Sequence, residues 1–263
     1  MSARGGRLSG RRALITGASS GIGAAIARAY AREGAAVSIG AFTGVERANK
    51  LAREINDQGG RAMVVVGDVA SRPDTDRIVD ETLAAFKGLD ILVHNAGIDA
   101  PGPAPVAETS DDLWDRCMAI HLTAGFRLVK RALPALLMGK GSSVLFIGSV
   151  AGTVAWEGDV AYNVAKAGIH HLTKCIAIDY AKKGLRANCI APGVIDTPLT
   201  RSFAQGMEKS DFDKAMSQLA AMHPVGRYGS VDEVTGAAVF LASDEASFVT
   251  GVILHVDGGF TAV

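Results

Sequence analysis

Short apolar runs recur along the whole chain, and helix-like patterns alternate with them. The runs are continuously apolar, which is typical of strands that are covered on both faces in a parallel sheet. They are Arg12–Thr16, Ala36–Ala41, Ala62–Gly67, Ile91–His94, Val144–Gly148, Ala187–Ala191 and Val252–Val256. Between them lie stripes at helical spacing, such as Ile22, Ile26 and Tyr30. This alternation predicts an α/β fold with a Rossmann-type, doubly wound parallel sheet flanked by helices.

The pattern predicts one domain over residues 1–263, with a short N-terminal tail at 1–10. A chain of 263 residues, 48% of them hydrophobic, is long enough for one large core. An amphipathic insertion at about 194–224 interrupts the alternation. It follows directly on the carboxyl end of a predicted strand, where ligands bind in such sheets. We therefore favour a mobile lid over a pocket, with a packed surface helix as the alternative.

Charge and cysteine content narrow the class of protein. The 27 basic and 27 acidic side chains balance, so neither nucleic acid nor an anionic membrane is expected as a partner. Cys117, Cys175 and Cys189 are sparse and lack metal-ligand spacing, which favours reduced thiols and no metal site. The first residues lack the apolar core of a signal peptide, and no apolar run approaches the about 20 residues that span a bilayer. These features predict a cytoplasmic protein.

A glycine-rich loop separates the first predicted strand from the first helix. Glycines allow a tight turn and let a pyrophosphate approach backbone N–H groups, and the helix N-terminus adds partial positive charge. The spacing departs from the G-x-G-x-x-G dinucleotide fingerprint, so the loop alone leaves a purely structural turn open. The candidate cofactor-binding residues here are Gly17, Ser19, Ser20, Gly21, Ile22 and Gly23.

Tyr162 and Lys166 are four residues apart in a helical pattern and so share one helix face. An isolated tyrosine has a pKa of ~10. A cation at ~4 Å, with an effective dielectric constant of ~20, is worth ~4 kcal/mol, or roughly three pKa units. The phenol could then exchange a proton at physiological pH. Ser149 directly follows the carboxyl end of the fifth predicted strand, where a hydroxyl can polarise a developing alkoxide or cap a turn.

In their order along the chain these motifs resemble the short-chain dehydrogenase/reductase family, in its short single-domain form, from Leu14 to Gly259. The glycine loop matches the family's T-G-x-x-x-G-x-G pattern. The resemblance implies that Asp68, beside Val69, bonds the adenine amino group. It implies that Asn95-Ala96-Gly97 braces the sheet beside the adenine ribose. Further cofactor contacts, to the nicotinamide carboxamide and phosphates, are implied for Pro192, Gly193, Ile195 and Thr197.

The same resemblance implies hydride transfer between a nicotinamide cofactor and a carbonyl or secondary alcohol. Tyr162 would be the general acid/base, Lys166 would lower its pKa and bond the nicotinamide ribose, and Ser149 would bond the reacting oxygen. The substrate would be a small molecule such as a sugar, a 3-oxoacyl thioester, or a steroid-like or xenobiotic ketone. Relatives are usually homotetramers, built on paired long helices (here 112–138 and 161–182) and C-terminal strands. A non-catalytic NAD(P)-binding sensor or scaffold is the alternative.

Cofactor choice depends on the end of the second strand. A carboxylate there would bond a ribose 2′-OH and repel a 2′-phosphate, but the position is Ala41. Ser20 stands where phosphate-preferring relatives often have arginine or lysine. Thr43 and Arg47 could reach a 2′-phosphate. NADP(H) is therefore slightly preferred over NAD(H).

Two histidines depart from the family pattern. His121 stands where the family usually has asparagine, whose main-chain carbonyl holds a water that links the lysine to solvent. We include it among the catalytic candidates: the imidazole could join this relay or only fill a helix kink, and His121→Asn is expected to retain most turnover. His94 replaces the asparagine that often precedes Asn-Ala-Gly, which we interpret as a packing variation. His170 is expected at solvent or an interface, and Trp156 either faces substrate or packs.

Overall fold

Parallel pairing joins the strands in the order β3-β2-β1-β4-β5-β6-β7. The computed structural model describes residues 6–98, 104–202 and 208–262. The strands are β1 Arg12–Ile15, β2 Ala36–Ala41, β3 Arg61–Val66, β4 Ile91–His94, β5 Ser143–Ile147, β6 Arg186–Pro192 and β7 Ile253–Val256. Every predicted run is a strand, and each boundary lies within one residue of the prediction. The doubly wound parallel sheet is confirmed.

Helices cover both faces of this sheet. The helices of the described residues are α1 Gly21–Arg32, α2 Val45–Asp57, α3 Arg72–Phe86, α4 Asp111–Met118, α5 Ala124–Met138, α6 Val160–Tyr180, α7 Pro198–Ser202, α8 Lys209–Ala221 and α9 Val231–Ala242. Successive side chains of a strand point to opposite faces. Ile15 therefore packs with α1, α2 and α9, whereas its neighbour Leu14 packs with α3, α5 and α6. The continuous apolar strands follow from these two cores.

The strand order reverses at β1, which lies between β2 and β4. In such sheets a crevice opens at the carboxyl ends of the strands beside the reversal. The connections that leave this edge carry most of the predicted site. They hold the glycine loop after β1, Asp68 after β3, Asn95 after β4, Ser149 after β5 and Gly193 after β6.

The long helix predicted at 112–138 contains an irregular turn. The helical run extends from Asp111 to Met138, but a π-helical turn at Ala119–Thr123 separates α4 from α5. A π turn adds one residue per turn and is frequent at functional sites. His121 is the central residue of this turn. The helix predicted at 161–182 is α6, followed by a 3-10 turn at Ala181–Lys183.

Two less regular segments border the fold. The predicted insertion at 194–224 contains α7 and α8, and its residues 203–207 lie outside the described residues. Its action as a lid stays a prediction. Residues 1–5 of the predicted tail also lie outside the described residues. Leu8, farther along the tail, is fully buried. Within the described ranges, no helix combines the length and apolar character needed to cross a bilayer.

Candidate active site

Lys166 lies inside the protein beside Tyr162. Both are on α6, and the Lys166 Nζ is 5.3 Å from the centroid of the Tyr162 ring. The ammonium donates a 2.8 Å hydrogen bond to the carbonyl of Ile147, the last residue of β5. Burial lowers the pKa of Lys166 to about 8. The group is therefore cationic at neutral pH and held against the phenol ring.

Ser149 follows the same end of β5. Its Oγ accepts a 3.1 Å hydrogen bond from the Ala151 N–H and caps the 3-10 turn Val150–Gly152. Capping a turn and polarising a substrate oxygen are therefore compatible roles for Ser149, because the cap uses only a lone pair and leaves the hydroxyl hydrogen to donate. Since Ile147 holds Lys166 and Ser149 lies two residues on, one strand end brings both groups to the same region.

His121 packs against the tyrosine. The residue is only 2% exposed, and its ring meets the Tyr162 ring edge to face, with centroids 5.1 Å apart. Its Nε2 lies 2.9 Å from the carbonyl oxygen of Ile98. A Cβ added to Gly97 would lie 2.5 Å from His121 Cε1, so the glycine makes room for the ring. Burial, and then the charge of Lys166, hold the pKa of His121 well below its usual range. The imidazole is neutral at physiological pH.

The glycine loop packs backbone against backbone on the segment after β4. Gly17 has a φ of +63°, and a Cβ there would lie 2.6 Å from the Ala96 Cα. The Asn95 amide donates to the carbonyls of Thr16 and Gly17 at 3.0 and 2.9 Å. These bonds tie the loop that precedes α1 to the segment after β4. The other loop candidates, Ser19, Ser20, Gly21 and Ile22, are half-buried at this turn, and Gly23 lies buried under it.

Asp68 has partners that orient its carboxylate. One oxygen accepts from the Ala70 N–H at 2.9 Å, and the other pairs with the guanidinium of Arg116 at 2.9 Å. Val69 is buried beside it. Arg116 belongs to α4 and was not singled out by the sequence, since its partner lies 48 residues away. The arrangement leaves carboxylate lone pairs for an amino-group donor.

The segment after β6 is tied to α8 by a buried histidine. His223 Nε2 accepts from the Val194 N–H at 3.1 Å, so its Nδ1 carries the proton and donates to the Leu219 carbonyl at 2.9 Å. A Cβ on Gly193 would lie 2.7 Å from His223 Nε2. The remaining candidates of this segment, Pro192, Ile195 and Thr197, are buried. No local pattern marks His223, because Val194 is 29 residues away.

A row of rings joins this segment to the loop before α6. Trp156 stacks on Phe260 with centroids 5.5 Å apart and 4° between the planes. Phe260 in turn lies 5.4 Å from the His223 ring. The Asn163 side chain bonds the main-chain N–H and carbonyl of Trp156. Trp156 thus packs, as one reading expected, while its contact with substrate stays a prediction.

The end of β2 presents a cation rather than an acid. Ala41 is buried, and Phe42 after it is 56% exposed. Gly44 has a φ of +67°, and the Arg47 guanidinium lies over it. Arg47 is in the first turn of α2. This side chain thus lies over the loop that follows β2, and β2 ends at Ala41, the position where a carboxylate would disfavour a 2′-phosphate.

The expectation for His170 is wrong. Its side chain is buried behind the serine loop, and only 8% of the residue is exposed. A Cβ on Gly148 would lie 2.7 Å from His170 Nε2, and one on Gly152 would lie 2.6 Å from its Cε1. The two glycines therefore leave the space that the imidazole fills. Because α6 packs its buried face on this loop, the ring turns inward, whereas the neighbouring His171 is exposed.

The chain is similar to known proteins over nearly its whole length. A family model described as enoyl-(acyl carrier protein) reductase matches residues 17–261. The chain is 41% identical to cis-4-hydroxycyclohexanecarboxylate dehydrogenase of Sinomonas cyclohexanicum, over 96% of this chain and 97% of that protein. It is 36% identical to 3beta-hydroxysteroid dehydrogenase 1 of Eggerthella lenta, over 97% and 95%. A structure described as an NAD(P) dependent gluconate 5-dehydrogenase from Beutenbergia cavernae, with NADP at low occupancy, gives a TM-score of 0.88 at 36% identity, over 97% and 98%.

Proposed function

The chain belongs to the short-chain dehydrogenase/reductase family and is an NAD(P)-dependent oxidoreductase, and we propose that Tyr162, Lys166 and Ser149 carry its chemistry. The nicotinamide cofactor supplies or accepts the hydride. Tyr162 gives a proton to the carbonyl oxygen during reduction or takes it from the alcohol during oxidation. Lys166 stabilises the phenolate, and the Ser149 hydroxyl donates to the reacting oxygen. The observation that carries the proposal is the buried Lys166 ammonium, 5.3 Å from the Tyr162 ring centroid.

The proposed substrate is a small molecule with a secondary hydroxyl or a ketone on a saturated ring. Two relatives that match nearly the whole chain are named for such substrates, a hydroxycyclohexanecarboxylate and a 3beta-hydroxysteroid. The aromatic stack of Trp156 and Phe260 supports an apolar ring beside the site. Sugars and 3-oxoacyl thioesters are the other substrate classes that a first panel should contain.

For the cofactor we propose a slight preference for NADP(H) over NAD(H). Ala41 leaves the end of β2 without the carboxylate that repels a 2′-phosphate. Arg47, in the first turn of α2, supplies a positive charge over Gly44 in the loop that follows β2. The NADP bound in one structural neighbour belongs to that protein and supports only that the fold accepts this nucleotide.

We also propose a cytoplasmic homotetramer. Exposed apolar side chains on the long helices support association, among them Trp114 on α4, Phe126 on α5 and Ile178 on α6. β7 is an edge strand that pairs only with β6 within the described residues. Light scattering at micromolar concentration tests the assembly, and a monomer would refute it.

Nicotinamide absorbance tests the chemistry, with NADPH and NADH against ring alcohols and ketones, sugars and acyl thioesters. Tyr162→Phe is expected to lose about 10²–10⁴-fold in kcat, since it removes the general acid/base. Its affinity for the nucleotide should change little. A wild type that binds nucleotide without turnover, and behaves as Tyr162→Phe does, would instead support the sensor or scaffold alternative.

A further inference from the structure

His94 and His121, the two histidines that depart from the family pattern, each lie within hydrogen-bond distance of the other's chain segment. His94 Nε2 lies 3.1 Å from the main-chain carbonyl oxygen of His121. In the opposite direction, His121 Nε2 lies 2.9 Å from the carbonyl oxygen of Ile98, four residues after His94. Each imidazole thus bonds the backbone of the segment that carries or adjoins the other. We name this reciprocal pair the histidine clamp.

The hydrogen-bond partners of Thr16 fix the tautomer of His94. Thr16 Oγ1 accepts from the N–H groups of Asn95 and Ala96 at 3.1 and 3.2 Å, which uses both of its lone pairs. Its own hydrogen is then left for His94 Nδ1, 3.1 Å away. The ring proton of His94 must therefore be on Nε2, where it donates to His121. Burial, with the charge of Lys166, lowers the pKa of His94 to about 4, so this neutral form persists at physiological pH.

The clamp spans the distance from the cofactor loop to the tyrosine. Thr16 opens the glycine loop, and His94 directly precedes the segment that packs on it. The π-helical turn that His94 bonds carries the His121 ring, which lies over Gly97 and against Tyr162. Both imidazoles are almost fully buried, at 3% and 2% exposure. Neither ring can shift without breaking a buried hydrogen bond, which costs about 1–3 kcal/mol.

We propose that the histidine clamp positions Tyr162 relative to the cofactor segment Asn95–Gly97, with His94 and His121 acting as positioning residues rather than proton carriers. The inference rests on the proposed role of Tyr162. It assigns His94 a polar function in place of the packing role expected from its sequence. Placement errors of this kind act mainly on kcat, because a displacement of about 1 Å can cost 10²-fold in rate.

The test compares variants that remove or retain each bond. His94→Leu deletes both ring nitrogens, and kcat should fall about tenfold, while the KM for the nucleotide changes less than about threefold. His94→Gln can still donate to the His121 carbonyl and should recover most of that loss. His171→Leu, at an exposed histidine on α6, is the matched control and should resemble the wild type. Full kcat in a stably folded His94→Leu would overturn the proposal.

A double-variant cycle tests whether the two histidines act as one unit. His94→Leu with His121→Leu should lose little more kcat than the worse single variant, whereas independent contacts would multiply their losses. Urea unfolding of the same four proteins measures the coupling without turnover, so it tests the clamp even if the proposed function fails. Should His94→Leu not fold, His94→Asn replaces it, because that shorter amide reaches Thr16 but not the His121 carbonyl. Multiplicative losses in kcat and additive losses in stability would overturn the clamp.

Discussion

The proposed cofactor side (the glycine loop and Asn95–Gly97) and the proposed substrate side (Trp156 and Phe260) of the carboxyl edge are built in different ways. On the cofactor side, Gly17 meets the Ala96 backbone so closely that even a methyl group has no room. On the substrate side, the contacts are between side chains, as in the stack of Trp156 on Phe260. The proposed cofactor side depends on the lack of a side chain at Gly17, whereas the proposed substrate side depends on the aromatic side chains of Trp156 and Phe260. A small substitution should therefore have a severe effect on the proposed cofactor side and a graded effect on the proposed substrate side.

Gly17→Ala should give the largest effect on nucleotide binding. The alanine would have to adopt a φ of +63° with its Cβ 2.6 Å from the Ala96 Cα, so the loop must move. We expect nucleotide affinity to fall at least about 100-fold, or about 2.7 kcal/mol, measured by fluorescence titration with NADPH. Gly236→Ala is the matched control, because a Cβ there meets nothing within 4 Å. That variant should gain about 0.5–1 kcal/mol of stability. Normal binding by Gly17→Ala would remove the basis of the comparison.

Acid should destabilise the folded protein through His94, which adjoins the proposed cofactor side. Burial lowers its pKa to about 4 in the folded state, against ~6.5 in the unfolded chain. The unfolded state therefore binds more protons between these values, and the free energy of unfolding falls as the pH drops from 6.5 to 4. The loss reaches about 3 kcal/mol. Urea unfolding at several pH values should show a shallower slope in His94→Asn than in the control His171→Asn. Equal slopes would contradict the assignment.

The sequence could predict features that depend on local patterns, but not contacts between residues that are far apart along the chain. Strand ends were predictable to within a residue because apolar continuity reflects burial on both faces of the sheet. The spacing of Tyr162 and Lys166 predicts a shared helix face, and the structure places them so. His223 and Arg116 left no such signal, since their partners are 29 and 48 residues away and only the fold brings them close. The inward turn of His170 depends on space left by two glycines on another segment.

Phe260→Ala should affect the substrate side moderately. It removes the ring between Trp156 and His223, a contact worth about 0.5–1.5 kcal/mol beyond the buried area. We expect the KM for a ring alcohol to rise about tenfold and the KM for the nucleotide to change little. Phe260→Leu keeps apolar volume without the stack and should lie between. If Phe260→Ala changes nucleotide KM more than substrate KM, the ring row belongs functionally to the cofactor side.

Arg47→Ala should give the smallest effect. It tests whether a side-chain charge also contributes to the proposed cofactor side. Arg47 is exposed, so its attraction to a 2′-phosphate is worth about 1 kcal/mol at most, and the ratio of kcat/KM for NADPH over NADH should fall about fivefold. Added salt should reduce the wild-type ratio in the same direction, because exposed charges are screened. Arg53→Ala, at an exposed arginine farther along α2, is the matched control. A ratio that neither salt nor Arg47→Ala changes would mean that backbone packing, rather than a side-chain charge, sets nucleotide choice. The cofactor side would then be determined by its backbone even where it meets the ribose.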